Sequence, residues 1–157
     1  MTTYYTQITN EIRHIIETWE PILTNLPQDI ITERRNHQNR TIKQLLGHLI
    51  DSASNNHQRL VRLQYNQCLE FPDYTQHNDL WIEIQDYQHT NWHDLIQLWK
   101  FFNLHIIHVI SSIDVSKGNN IWYDFRGERL TINEMIDGYL SHMYLHTNDI
   151  KELIDKE

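Results

Sequence analysis

Two histidines four residues apart, His142 and His146 in the run SHMYLH, share one face of any helix that carries them, so both imidazoles can reach one ion. Such a pair arises readily by chance in a chain with 11 His among 157 residues, and His89 with His93 makes another. The setting singles out the first pair. Tyr139 and Met143 accompany it on the side that a bundle would bury, where imidazoles need partners. His48 offers a third ring, inside the apolar run LLGHLI and just after Gly47, a residue that weakens a helix but permits close approach of another segment. Each of these histidines, taken singly, also fits a buried residue satisfied by a hydrogen bond. Together, one from one helix and an i, i+4 pair from another make a facial three-nitrogen site of the kind helical bundles use for metals. Three neutral ligands leave at least one coordination position open, unlike a closed structural zinc site. An ion so held lowers the pKa of a bound water toward ~7 or takes a thiol as thiolate, and it polarises a carbonyl or leaving group.

Ligand imidazoles normally donate their second N–H to an acceptor that fixes the tautomer. Asp51, Ser52 and Asn55 follow His48 by three, four and seven residues, and Asp149 follows His146 by three. Asn55 is the leading candidate; Asp51 is retained, although it and Asp149 read first as solvated carboxylates on helix faces. Arg59, eleven residues past His48 and so at nearly its angular position, suits a pocket rim that holds an anionic group, the plainer reading being a surface arginine. Trp122, Tyr123 and Arg126 precede the last helix and are placed to roof such a pocket. His105 and His108 fall at a bundle edge and are not expected as ligands, while His14, His37, His57 and His77 sit in polar settings and should be solvated. The single Cys68 reads as a small buried hydrophobe. It lies twenty residues past His48, about 30 Å along a straight helix, which disfavours a cysteine nucleophile. Neither a Ser/His/Asp order nor a nucleophile elbow is present.

Four amphipathic helices must position these groups. Residues 4–19 space Tyr5, Ile8, Ile12, Ile15, Ile16 and Trp19 by threes and fours, and Pro21 and Pro27 are expected to end that helix. ITERRNHQNR (31–40) has no apolar period and reads as a polar connection. Thr41 and Gln44 form a capping box that opens the second helix, whose core stripe is Ile42, Leu45, Leu46, Leu49, Ala53, Leu60 and Leu63. Beyond Glu70, FPDYTQHN is loop-like and LWIEIQDY is a short helix or crossover piece. Asn91 with Asp94 caps the third helix, apolar on more than one face and hence the most buried or part of a subunit interface. Residues 114–130 suggest a loop with a brief hairpin. A second capping box, Thr131 to Glu134, opens the last helix.

The length fits one domain spanning 1–157, and such a domain needs neither a disulfide nor a structural metal to fold. With only 4 Gly and 3 Pro the chain is short of the turn residues that a hairpin-rich fold demands, which points to helices. A net charge of −8 has the wrong sign for wrapping nucleic acid or an anionic membrane surface. One cysteine excludes an internal disulfide and a cysteine-rich metal site. The N-terminal MTTYYTQITNEIRHI lacks a secretory pattern, and no 18-residue apolar run occurs, so a soluble cytoplasmic protein is expected.

The pattern T-x-x-Q-L-x-x-H-L-x-D-S at 41–52, N-N-H-Q-R at 55–59 and Y-L-S-H-M-x-x-H at 139–146 resembles the DinB-like (DinB/YfiT) superfamily. The likeness covers essentially the whole chain, including WHDLIQLWKFFNLHI after a D-x-W-x-x-x-x-x-Y segment made by Asp79, Trp81 and Tyr87. It implies an all-α four-helix bundle with a long crossover connection between the second and third helices, and a homodimer. It also implies a divalent metal, zinc or nickel, on His48, His142 and His146. Members with known activity use the metal to activate a low-molecular-weight thiol, bacillithiol or mycothiol, for S-transfer or isomerisation; others resemble metal-dependent hydrolases. The expectation is therefore a metal-dependent enzyme acting on a small-molecule substrate through an activated thiol or water. The alternative is a non-catalytic bundle with vestigial histidines that binds a partner through its third helix.

Overall fold

A computed structural model describes residues 3–69 and 76–156. Helix α1, Tyr4–Thr24, is capped by the Thr3 side chain and buries Tyr5, Ile8, Ile12, Ile15 and Ile16 along one stripe. Pro21, expected to end this helix, lies inside it. The proline forfeits one backbone donor, but tertiary contacts hold the last turn. Leu23 is buried, its carbonyl accepts from Trp92 Nε1 at 2.9 Å, and Asn25 Nδ2 donates to the Pro21 carbonyl at 2.7 Å. A short α2, Gln28–Thr32, overlaps the start of the segment read as a polar connection and buries Ile31.

Helix α3, Ile42–Leu63, begins at the expected capping box: Thr41 Oγ1 accepts from the Gln44 amide at 3.3 Å, and Gln44 Oε1 accepts from the Thr41 amide at 3.0 Å. Every residue of its expected core stripe is buried. After strand β1, Cys68–Leu69, the chain crosses over through α4, Asn78–Ile84, and a 3-10 turn, Tyr87–His89. Of the loop expected at 71–78, residues 71–75 lie outside the described residues. Helix α5, Trp92–Ser111, is capped by Asn91, and α6, Ile132–Asp155, starts at the second capping box. Between them β2, Ile121–Tyr123, and β3, Arg129–Thr131, pair antiparallel, which is the anticipated hairpin. The parallel strand β1 on its other side has no signature in a two-residue segment. Cys68, read as buried, is exposed on that edge strand.

Helix α3 packs on α5 and α6, and α1 packs on the same two, so α1 lies diagonal to α3 and α5 diagonal to α6, while the consecutive helices α3 and α5 pack directly. The longest connection between long helices, residues 64–91, joins the directly packed pair α3 and α5. Aromatic packing docks this crossover onto the start of α3. A Cβ on Gly47 would overlap the Tyr87 ring, so only glycine lets that ring lie on the helix. The Tyr87 hydroxyl donates to Asp51 Oδ1 at 2.7 Å, Gln85 Nε2 donates to the same oxygen at 2.8 Å, and buried Arg40 donates to Asp79 at 2.7 Å. The buried apolar residues form one core cluster, and no described helix is long and apolar enough to cross a membrane.

Candidate metal centre

His48 stands near the start of α3, while His142 and His146 stand one turn apart on α6, the helix packed against it. The bundle brings all three together. Ring centres are 5.0 Å apart for His48 and His142, 4.8 Å for His48 and His146, and 4.5 Å for His142 and His146. Among the described residues this is the one group of three or more His, Cys, Asp or Glu whose ligand atoms all lie within 4.8 Å of one another.

The protonation pattern suits ligation. His48 Nε2 and His142 Nε2 face each other at 3.1 Å. His146 Nδ1 lies 2.9 Å from Asp149 Oδ2; a carboxylate can only accept, so that nitrogen carries the proton and Nε2 keeps its lone pair. Burial holds His48 down to about 3, with His142 and His146 adding repulsion, and burial together with His146 holds His142 down to about 4. Burial likewise lowers His146, partly offset by Asp149. All three rings are therefore neutral near pH 7, the form that binds metal. Two nitrogens on one ion at about 2.1 Å, with bond angles between square and tetrahedral, would stand roughly 3.0–3.4 Å apart, so the His48–His142 spacing fits a shared ion. His48 Nδ1 and His142 Nδ1 are buried without a hydrogen-bond partner among the described residues.

The surrounding carboxylates are arranged differently from the sequence reading. Asp51 and Asp149, read first as solvated, are 2% and 7% exposed. Helix periodicity puts a residue three positions after an inward one near the same face, and the bundle covers both. Asp149 orients His146; Asp51 instead accepts from Tyr87 and Gln85 and holds the crossover. Asn55 makes no hydrogen bond to the three imidazoles. Its amide donates to Gln76 Oε1, and Gln76 Nε2 donates in turn to Asn78 Oδ1 at 2.8 Å. The signal that pointed to Asp149 was its i, i+3 relation to His146; Gln76 and Asn78 carried none, because their role depends on the crossover's path.

A cavity of about 350 Å³ opens above His48 and His142. The amides of Asn55, Gln76 and Asn78 line one part of it, and Arg59 and Trp122 another, with the guanidinium 3.9 Å from the indole centre. Arg126 reaches the wall from the β2–β3 turn, paired with Asp124 at 3.1 Å and Glu128 at 2.9 Å. Trp122 and Arg126 thus lie where a roof was expected, whereas Tyr123 is not among the lining residues. His57 departs from its solvated reading: it is half-buried, edge-on to Phe102 with ring centres 5.9 Å apart.

In its backbone the chain is similar to YfiT from Bacillus subtilis, a probable metal-dependent hydrolase with an unusual four-helix bundle topology. The TM-score is 0.85 at 14% identity, over 95% of this chain and 85% of that one. It is also similar to a mutant of the mycothiol-dependent maleylpyruvate isomerase, with a TM-score of 0.69 at 11% identity, over 94% of this chain and 61% of the other. At these identities the likeness shows the fold alone: the four-helix bundle read from the sequence is the observed architecture, with the topology of YfiT. No family model and no curated protein matches the sequence.

Proposed function

We propose that this protein is a divalent-metal-dependent enzyme that acts on a small molecule, with the ion held by Nε2 of His48, His142 and His146. The observation that carries the reading is the convergence of three neutral imidazoles from two helices; two of the three, His48 and His142, line a cavity. A divalent ion there, zinc or nickel by the preference of imidazole donors, supplies Lewis acidity toward a thiol or water and toward a carbonyl. Asp149 Oδ2 holds the proton on His146 Nδ1 and so keeps that Nε2 aimed at the other two. The amides of Asn55, Gln76 and Asn78 would orient uncharged polar groups of the substrate, and Arg59, stacked on Trp122, would draw an anionic group into the cavity. Both fold neighbours are described by small-molecule or hydrolytic chemistry, one of them thiol-dependent, which supports an activated thiol or water as the reactive species.

Metal content per chain on untagged protein, by plasma mass spectrometry, tests the site. Close to one equivalent of zinc or nickel in wild type is expected, lost in both His48→Ala and His142→Ala with helical circular dichroism retained. Metal kept by both variants, or none after reconstitution, would favour the non-catalytic module.

A homodimer through α5 belongs to the same proposal, because Leu98 and Phe101 are 51% and 60% exposed on its outer face. Light scattering on wild type and Phe101→Glu reads it: a dimer that becomes a monomer is expected, and a monomeric wild type disposes of it.

A further inference from the structure

His57 stands nine residues, two and a half turns, beyond His48 and so leaves α3 on the opposite side from the three-histidine group, toward α5. There its ring centre lies 5.1 Å from that of His105, on α5. With a metal–nitrogen bond of about 2.1 Å and roughly 1.2 Å from nitrogen to ring centre, two imidazoles on one ion have centres about 4.7–5.4 Å apart for bond angles between square and tetrahedral. Two of the three separations in the buried group, 4.8 and 5.0 Å, fall in that range, and the third is 4.5 Å. Phe102, also on α5, lies edge-on to His57 with ring centres 5.9 Å apart. Burial, with the nearness of His105 as the second cause, lowers the pKa of His57 and keeps it in the ligating form. His108, 6.3 Å from His105, is outside the range and is not needed.

We propose that His57 and His105 form a second, peripheral metal site, a bidentate clamp across α3 and α5 for a divalent transition ion that favours imidazole. Both residues come from elements already packed together, so little ordering is needed on binding. Two ligands leave most coordination positions to solvent, which makes this the weaker site and orders its preference by ion, Cu²⁺ ahead of Ni²⁺ and Zn²⁺. The clamp does not depend on the buried group being a metal site.

Equilibrium dialysis of untagged protein against Cu²⁺ tests it on wild type, His57→Gln, His105→Gln, His108→Gln and His48→Ala. Two equivalents are expected in wild type. His57→Gln and His105→Gln should each lose one and keep the other, and His108→Gln should keep both. His48→Ala should keep the peripheral equivalent, and its electron paramagnetic resonance spectrum should carry the hyperfine pattern of two nitrogen ligands. If His48→Ala fails to fold, the glutamine variants still decide the question, since both are substitutions of surface-accessible rings. A wild type that binds a single equivalent untouched by either His57→Gln or His105→Gln overturns the proposal, and so does a second equivalent retained in both. Failure of the buried site would instead remove the equivalent that is insensitive to these two variants.

Discussion

The Asp149 carboxylate fixes the tautomer of one imidazole of the buried group through a single hydrogen bond, while two others present unpartnered Nδ1 atoms among the described residues. This asymmetry predicts where metal affinity is most easily lowered without touching a ligand. Asp149→Asn preserves shape but offers His146 a neutral amide that can also donate, so the imidazole is no longer held in one tautomer. Affinity for zinc, measured by competition with a chromophoric chelator, should fall about 10- to 100-fold, the range typical for groups that orient a metal ligand. An unchanged affinity would mean that the α6 backbone alone aims His146. Asp51 gives a contrasting case at the same helical offset: its carboxylate is engaged by Tyr87 and Gln85, so it serves the crossover. Spacing alone gave the two aspartates the same description. What separates them is the neighbour each meets.

Helix α3 carries both a ligand and the docking point for the crossover, in adjacent residues. In an isolated helix Gly47→Ala would stabilise by roughly 0.5–1 kcal/mol. Here the new methyl must displace the Tyr87 ring and break its bond to Asp51, so a net loss on the order of 1–3 kcal/mol is expected from denaturant unfolding. A net gain would show that the crossover is not packed on α3 in solution. The reach of each signal explains why the capping boxes were readable and the end of α1 was not. Thr41 with Gln44 and Thr131 with Glu134 are local, and each pair satisfies its own backbone. Pro21 is a local stop signal overridden by distant partners, Trp92 above all.

Across the whole molecule, one apolar core runs through all four long helices, and the three-histidine group sits at its polar margin. The core needs no metal to form, so removal of metal should leave the helices intact. With zinc at about 100 times its dissociation constant, binding adds about 2.7 kcal/mol, and for a chain of this length the melting temperature should drop by roughly 5–10 °C when a chelator is added. Circular dichroism before and after chelation checks both parts; loss of helix would make the metal structural. The sequence alone specified the four long helices, the caps of the last three, the inward stripes and the shared face of His142 and His146. These follow from periodicity and from i, i+4 spacing, which are local properties. Tertiary structure alone decided which carboxylate serves the imidazoles, that Cys68 faces solvent on an edge strand, that His57 meets His105, and that the amides of Gln76 and Asn78 reach the cavity. Each of these depends on which segment the crossover and the neighbouring helix bring alongside, and no periodicity within a single element carries that information.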